Sequence, residues 1–257
     1  MSSFGKIVSL RPPVAINLAD RPSSTACGEC GARHLGICDA LSDEELVFLS
    51  RAAQRMSLPA GKLIMEEGEP ARHYYNVNSG TVRLFKALPD GRRQITGFAG
   101  PGHFIGLAAT DVDVISAETM EPVQLCRFSR AGLRAMSEEY PVLEHKLLAV
   151  AMHELVLSQQ QMLLLGRKTA LERIASFLLS WAHRQELCGE GKLPLPNARL
   201  TLPLSRTDLA DYLGLTIETV SRSLSHLKKD GLIELPNIHE IVLLRPQALE
   251  KIAEAAN

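Results

Sequence analysis

Three cysteines lie close together near the start of the sequence, in the segment CGECGARHLGIC. Cys27, Cys30 and Cys38 have C-x2-C-x7-C spacing, and the thiolate of cysteine is a metal ligand. The glycines of the segment let the backbone wrap closely, as a metal-binding loop needs. Structural zinc sites and iron–sulfur clusters usually take four ligands. Zinc with His34, an iron–sulfur cluster with a distant cysteine, and free redox thiols are therefore all open. The third cysteine favours a metal.

A second group of polar residues lies in LSRTDLADYLGLTIETVSRSLSHLKK, residues 204–229. Ser205 and Thr216 are typical helix N-caps, and Gly214 suits a tight turn between two short helices. The second helix turns a polar set outward: Glu218, Thr219, Ser221, Arg222 and Ser225. Arginine can donate twice to guanine, and glutamate can accept from cytosine. An ordinary helical hairpin with a solvated face has the same spacing, but the caps, the turn glycine and this polar set together favour a DNA-binding helix-turn-helix.

The segment SRTDLADYLGLTIETVSR resembles the helix-turn-helix of the Crp/Fnr superfamily of bacterial transcription regulators. The spacing of Glu218, Ser221 and Arg222 is similar to that of its Fnr branch. The resemblance implies a palindromic site on double-stranded DNA with TTGA-like half-sites. It places Arg222 on guanine, Glu218 on the opposing bases and Ser221 near thymine. The further candidate DNA contacts are Ser205, Arg206 and Thr219.

Residues 56–130 contain short strand-like runs separated by turn signals that include glycine. The runs are Lys62–Met65, Tyr74–Val77, Thr81–Lys86, Gln94–Phe98, Val114–Thr119 and Val123–Phe128. Regular short strands of this kind predict a barrel or jelly-roll. The stretch LIMEEGEPARHYYNVNSGTVRLF resembles the effector-domain β-roll of the same superfamily.

A cyclic-nucleotide pocket needs a glutamate for the ribose and an arginine for the cyclic phosphate. The matching stretch here, GHFIGLAATDVDVISAET, has no arginine and carries Asp111 and Asp113. Because these carboxylates would repel a phosphate, we expect no cyclic-nucleotide binding.

Cys126 lies alone in the last strand-like run, and an isolated cysteine is most often a core residue. The resemblance reverses this interpretation, because the Fnr branch is similar in having one cysteine at this place in the roll. It implies one [4Fe–4S] cluster per subunit on Cys27, Cys30, Cys38 and Cys126. The alternative keeps DNA binding but uses zinc or dithiol chemistry, with Cys126 in the core. Cys188 is interpreted as a spare thiol.

Residues 140–165 form a long helical pattern. Apolar or small residues alternate at steps of three and four, which is typical of a coiled-coil seam and predicts a homodimer. The seam residues are Leu148, Ala151, Leu155, Ser158, Met162 and Leu165. A helix packed on its own domain is the alternative. Well-known members of the resembled family carry an acidic residue where Ser158 stands, and its repulsion opposes dimerisation until the cluster is bound. The neutral Ser158 implies a weaker monomer–dimer switch.

The predicted fold class is α+β. We expect a flexible arm (1–24), a cluster loop with a β-roll sensor domain like cyclic-nucleotide-binding domains (25–136), a dimerisation helix (137–166) and a winged helix-turn-helix domain (167–257). The chain has 257 residues, of which 46% are hydrophobic. The net charge of −1 requires DNA binding to rest on a local basic patch.

The sequence also limits where the protein acts and what it does. It shows no signal peptide and no apolar run long enough to span a bilayer, so we expect a cytoplasmic protein without membrane contact. We find no acid–base pair, phosphate loop or nucleophile elbow, and expect no enzyme activity. The resemblance implies an oxygen-responsive activator of anaerobic or microaerobic genes. Residues 88–92 form a candidate RNA polymerase contact, with a solvated hairpin tip as the alternative.

Overall fold

A computed structural model describes Cys27 and residues 30–108, 110–185 and 193–254. The predicted flexible arm and Cys188 lie outside these residues. Seven α-helices are found in the described part of the chain: α1 Asp43–Ala52, α2 Arg130–Glu139, α3 Pro141–Arg167, α4 Ala170–Arg184, α5 Arg206–Leu213, α6 Ile217–Lys229 and α7 Pro246–Glu254. The strands are β1 Ala53–Leu58, β2 Leu63–Met65, β3 His73–Ser79, β4 Val82–Ala87, β5 Arg93–Ala99, β6 Phe104–Ile105, β7 Ser116–Thr119, β8 Val123–Ser129, β9 Ala198–Thr201, β10 Ile233–Asn237 and β11 Glu240–Leu243.

The first eight strands form the predicted β-roll. They make two antiparallel four-stranded sheets, ordered β1-β8-β3-β6 and β2-β7-β4-β5. At the start of β8 the alternate residues Val123 and Leu125 are buried, and they pack between the sheets with Val77 of β3 and Val82 of β4. Burial of alternate positions is what a sheet with one face on a core requires. The α+β fold class and the roll are therefore confirmed.

The helix α3 leaves the roll and exposes most of its apolar residues. Only Leu143 of its 27 residues is fully buried. The seam residues Leu148, Leu155 and Met162 are 56%, 53% and 64% exposed. An apolar stripe of this length on one helix is the arrangement of a coiled-coil partner surface.

A winged helix-turn-helix unit follows, formed in the described part of the chain by residues 170–185 and 193–254. Its helices α4, α5 and α6 share one core with the three-stranded sheet β10-β11-β9 and with α7. Ile95 and Phe98 of the roll strand β5 belong to the same core. The helix-turn-helix unit is therefore packed against the roll of its own chain. None of the helices in the described ranges is both long and apolar enough to cross a membrane.

Candidate DNA-binding surface and cysteine site

The turn between α5 and α6 is held by its caps and by one arginine. Ser205 caps α5 by accepting from the N–H of Asp208, and Thr216 caps α6 by accepting from that of Thr219. Gly214 ends α5 with φ 60°, a left-handed conformation that glycine adopts without strain. Arg173 of α4 donates to the Leu213 carbonyl oxygen at 2.8 Å. The predicted caps and turn are confirmed, and Arg173 adds a support that local sequence pattern does not indicate.

The outward face of α6 is open to solvent. The apolar residues on the inner side of α6 are buried. The polar residues on its outer side, Glu218, Ser221, Arg222 and Ser225, are exposed. Hydrogen bonds from its own backbone N–H and from the Thr216 side chain, with the Arg222 charge, hold the pKa of the Glu218 carboxyl below its usual value. Glu218 is therefore ionised at neutral pH, and Arg222 stands one helical turn away from it. The pair combines an acceptor with a bidentate donor, the two kinds of group that can read base edges.

The side chains of the remaining predicted DNA contacts are hydrogen-bonded within the protein or partly buried. The Ser205 hydroxyl bonds to Asp208, and the Thr219 hydroxyl lies 3.1 Å from that of Thr216. Arg206 is half-buried, and burial lowers the pKa of its guanidinium. Lys228 and Lys229 are exposed at the end of α6. The helix therefore offers base-contacting groups at its start and positive charge at its end.

The four predicted metal-binding cysteines gather at one end of the roll. Cys126 lies on β8, where its Cα pairs with that of Arg55 on β1. Cys27 and Cys30 interact electrostatically with Cys126, and all three interact with Cys38. All four are free thiols of intermediate exposure. A cleft of about 450 Å³ is lined in part by Cys30 and Arg55.

The thiol of Cys38 lies in the least favourable surroundings for ionisation. Burial, together with the three neighbouring cysteines, raises its pKa to about 12. Burial also raises the pKa of Cys126, against a hydrogen bond of 3.2 Å that Asn78 Nδ2 donates to its sulfur. A metal centre would supply the positive charge that holds such thiols as thiolates.

Arg33 holds the loop that carries Cys30 and Cys38 (the cysteine loop) in shape, and two glycines bring this loop against the roll. Arg33 is 8% exposed and donates to the carbonyl oxygens of Cys38 at 2.6 Å and Leu41 at 3.0 Å. Gly36 has φ 62°, and a Cβ there would lie 2.0 Å from the carbonyl oxygen of Gly102. The loop and the roll therefore touch through backbone alone at this point.

The donor set, four cysteine thiols, is of the kind that an iron–sulfur cluster takes. A metal site also requires that the ligand side chains be arranged around one point. Among the residues that the structure describes, no group of three or more His, Cys, Asp and Glu side chains is arranged to hold a metal ion. This holds equally for the cluster ligands Cys27, Cys30, Cys38 and Cys126 and for the zinc alternative with His34.

Comparison with known proteins agrees with both halves of the molecule. Residues 172–252 match the Crp-like helix-turn-helix domain, and residues 55–140 match the cyclic nucleotide-binding domain. The nitrogen fixation regulation protein FixK of Bradyrhizobium diazoefficiens is 39% identical over 91% of this chain and 96% of its own length. The chain belongs to the Crp/Fnr family.

Other members of the Crp/Fnr family support the same assignment. The transcriptional activator protein FnrL of Cereibacter sphaeroides is 36% identical over 84% of this chain and 87% of its own length. The structure of FixK2 from Bradyrhizobium japonicum matches with a TM-score of 0.72 and 38% identity, covering 80% of this chain and 99% of that one. The chain is a DNA-binding transcription activator of Crp/Fnr type, and the predicted Fnr-branch resemblance is confirmed.

The region that corresponds to a cyclic-nucleotide site in this family has two different aspartates. Asp111 is exposed, whereas Asp113 is 7% exposed and burial raises the pKa of its carboxyl. Because Asp111 is the exposed carboxylate of the two, it is the one placed to repel a phosphate at the surface. The expectation that no cyclic nucleotide binds stays a prediction.

Crp/Fnr regulators act on DNA as dimers, and α3 carries the predicted seam. Ala151 and Ser158 are exposed along it together with the larger apolar residues. The Ser158 hydroxyl donates to the Glu154 carbonyl oxygen at 2.8 Å, so it is satisfied within its own helix. Burial raises the pKa of the Glu154 carboxyl, which faces its own chain and not the seam.

Proposed function

We propose that this activator is responsive to oxygen or redox state and binds, as a homodimer, a palindromic DNA site with TTGA-type half-sites. The exposed Glu218–Ser221–Arg222 face of α6 supports the DNA-binding part of the proposal. The observation that carries the sensing part is that Cys27, Cys30, Cys38 and Cys126 lie near enough to one another to interact electrostatically.

We further propose that these four cysteines hold one [4Fe–4S] cluster per subunit. When bound, such a cluster supplies a redox centre that reacts with oxygen. Its four Cys ligands must be deprotonated. The Asn78 N–H directed at the Cys126 sulfur stabilises negative charge at that position. Arg55, whose guanidinium N–H lies 4.0 Å from the Cys27 sulfur, does the same there.

The route from the cysteine loop to the dimer interface is short. Cys38 belongs to the short 3₁₀ helix Gly36–Ala40 and packs in one apolar cluster with Leu143, Leu147 and Val150 of α3. Lys146 of α3 also lies 3.9 Å from Asp39. A change in the position of the loop therefore changes the packing at the start of the helix that carries the seam.

Anaerobic purification followed by absorption spectroscopy with iron and sulfide analysis tests the sensing part. We expect a broad visible band that bleaches in air and about four irons per chain. Cys126→Ala is expected to lose the band, whereas the matched control Cys188→Ala keeps it. A colourless anaerobic protein with zinc or no metal would refute the cluster.

A dithiol or zinc sensor is the second candidate function. The observation that favours the dithiol form is that the described cysteines are free thiols and are not arranged around a metal ion. Under this alternative a thiol oxidant changes DNA affinity in the metal-free protein, and Cys126→Ala leaves that response intact. Under the cluster proposal the metal-free protein gives no such response.

The tip of the β4–β5 hairpin is our proposed contact with RNA polymerase. Leu88 is 46% exposed there, and Asp90 forms an ion pair with Arg92 at 2.8 Å. An apolar side chain flanked by fixed charges suits a weak protein contact. We expect Leu88→Ser to lower transcription activation while DNA affinity stays unchanged; equal activation would leave the tip as a solvated hairpin.

A further inference from the structure

Four charged residues join the roll to the helix-turn-helix unit. Arg83 Nη1 on β4 lies 2.7 Å from Asp208 Oδ1 on α5, and Arg93 Nη2 on β5 lies 2.9 Å from the same oxygen. Arg93 Nε lies 2.6 Å from Asp211 Oδ2. We name this group, Arg83, Arg93, Asp208 and Asp211, the latch.

The latch is largely removed from water. The side chain of Asp208 is 7% exposed, that of Arg83 16% and that of Arg93 25%. Arg83 also pairs with Glu118 of β7 at 2.8 Å, which anchors it to its own sheet. When one partner of a buried ion pair is removed, the other charge is left without compensation. The latch charges therefore fix the position of α5 on the roll.

Asp208 connects the latch to the geometry of the helix-turn-helix itself. Its Oδ2 accepts from the N–H of Ser205 at 2.9 Å and from the Ser205 hydroxyl at 2.6 Å, which completes the capping box of α5. Its Oδ1 accepts from both arginines. One carboxylate therefore determines where α5 begins and where α5 lies against the roll.

Neutral contacts surround the latch and extend it to α3. Gln94 of β5 and Gln161 of α3 both donate to the Tyr212 carbonyl oxygen, at 3.2 Å and 2.9 Å. The ring of Phe98 lies 5.1 Å from that of Tyr212. The C-terminal end of α5 is thus held by the roll and by the dimer helix together.

The docked arrangement leaves the DNA-binding face open. Glu218, Ser221 and Arg222 are all exposed while the latch is closed. A contact that served to block DNA binding would be expected to cover these residues. The latch therefore fixes the orientation of α6 relative to α3 without hiding its face.

We propose that Arg83 and Arg93 are positioning residues for DNA binding: the latch orients the helix-turn-helix unit so that both recognition helices of a dimer reach successive major-groove segments of one palindromic site. The inference rests on the dimeric binding in the proposed function. When both helix-turn-helix units of a dimer are held in the correct orientation, the second half-site is bound in an intramolecular step, which raises the affinity for the whole palindrome. This gain in affinity is lost when the orientation is no longer fixed.

The test compares the full-length double variant Arg83→Gln/Arg93→Gln with the wild type on two duplexes. One duplex carries the whole TTGA-type palindrome, and the other carries a single half-site. We expect the dissociation constant for the palindrome to rise about tenfold to a hundredfold. We expect a much smaller rise for the half-site, caused by the unpaired carboxylates of α5, and the retained half-site binding also shows that the helix-turn-helix unit is folded. Arg93→Lys, which keeps the charge, is expected to restore part of the loss relative to Arg93→Gln.

The matched control is Lys86→Gln. Lys86 lies on the same strand as Arg83, is exposed, and pairs with Glu67 of the roll and not with α5. It is expected to bind both duplexes as the wild type does. Unchanged palindrome binding in the double variant, equal losses on both duplexes, or tighter binding would each overturn the positioning role. A wild type that binds palindrome and half-site equally would instead overturn the dimeric binding on which the inference rests.

Discussion

Replacing Gly36 by alanine should detach the cysteine loop from the roll. Gly36 has φ 62°, and its added Cβ would lie 2.0 Å from the carbonyl oxygen of Gly102, 3.0 Å from its carbonyl carbon and 3.3 Å from its Cα. Backbone atoms cannot rotate away as the end of a flexible side chain can. The contact can be relieved only if the loop and the roll move apart.

The size of the effect follows from two contributions. A left-handed conformation costs about 1–2 kcal/mol for a residue other than glycine. Overpacking of a close contact adds about 1–3 kcal/mol. The strain of the docked loop is therefore about 2–5 kcal/mol. If undocking costs less than this, the loop leaves the roll before the whole protein unfolds.

Alkylation of Cys38 in the metal-free protein measures the undocking. In the wild type its thiol is only partly exposed and burial raises its pKa to about 12, so alkylation at neutral pH should be slow. We expect Gly36→Ala to react faster at Cys38 and to show a lower free energy of unfolding in urea. Gly31→Ala is the matched control in the same loop, because a Cβ there meets nothing within 4 Å.

Equal protection of Cys38 in Gly36→Ala and Gly31→Ala would refute the reasoning. It would show that the loop does not rest on Gly102. Faster alkylation with an unchanged unfolding free energy would still support it, since local undocking exposes the thiol without global unfolding.

Three further predictions test other parts of the molecule. Burial, together with the Arg184 charge, lowers the pKa of His103 from 6.5 to about 4. Because the unfolded chain therefore binds the proton at a higher pH than the folded protein, the free energy of unfolding should fall by about 3 kcal/mol as the pH decreases from 6.5 to 4. In His103→Gln, unfolding experiments should show a weaker dependence of this free energy on pH. Arg222→Ala should cost about 1–3 kcal/mol on the palindrome and relax one base position; equal losses on specific and random DNA would make Arg222 a phosphate contact. Leu155→Glu should shift the protein towards monomer in analytical ultracentrifugation, because Leu155 lies mid-seam and is 53% exposed; an unchanged dimer would place the interface elsewhere.

Much of the fold could be predicted because its signals are local. Glycine turns and alternating apolar residues indicated the strands β2, β3, β4, β5, β7 and β8. Ser205, Gly214 and Thr216 marked the ends of α5 and α6, where capping chemistry acts within three residues. Where a cap or a turn residue determines the local backbone geometry, a single sequence is enough to predict the end of the helix.

The elements and contacts that were not predicted depend on distant partners. The strand β9 is four residues long and is defined by its pairing with β11. The helix α2, Arg130–Glu139, buries only Leu133 and Met136, which is too few for a clear periodicity. Arg83 and Asp208 are separated by 125 residues, and no local pattern relates their charges.

The latch also affects the charge of the surface that faces DNA. The whole chain has a net charge of −1, so a positive surface must be formed locally. Asp208 and Asp211 lie on the first helix of the helix-turn-helix, which crosses the DNA backbone in this motif. Free carboxylates there would repel phosphates. Hydrogen bonds from Ser205 and the charges of both latch arginines outweigh burial and hold the pKa of Asp208 below its usual value, so it stays ionised and paired. The roll thus neutralises the acidic side of α5, while Lys228 and Lys229 remain exposed on α6. Positioning of the DNA-binding unit and formation of its local basic patch depend on the same two arginines.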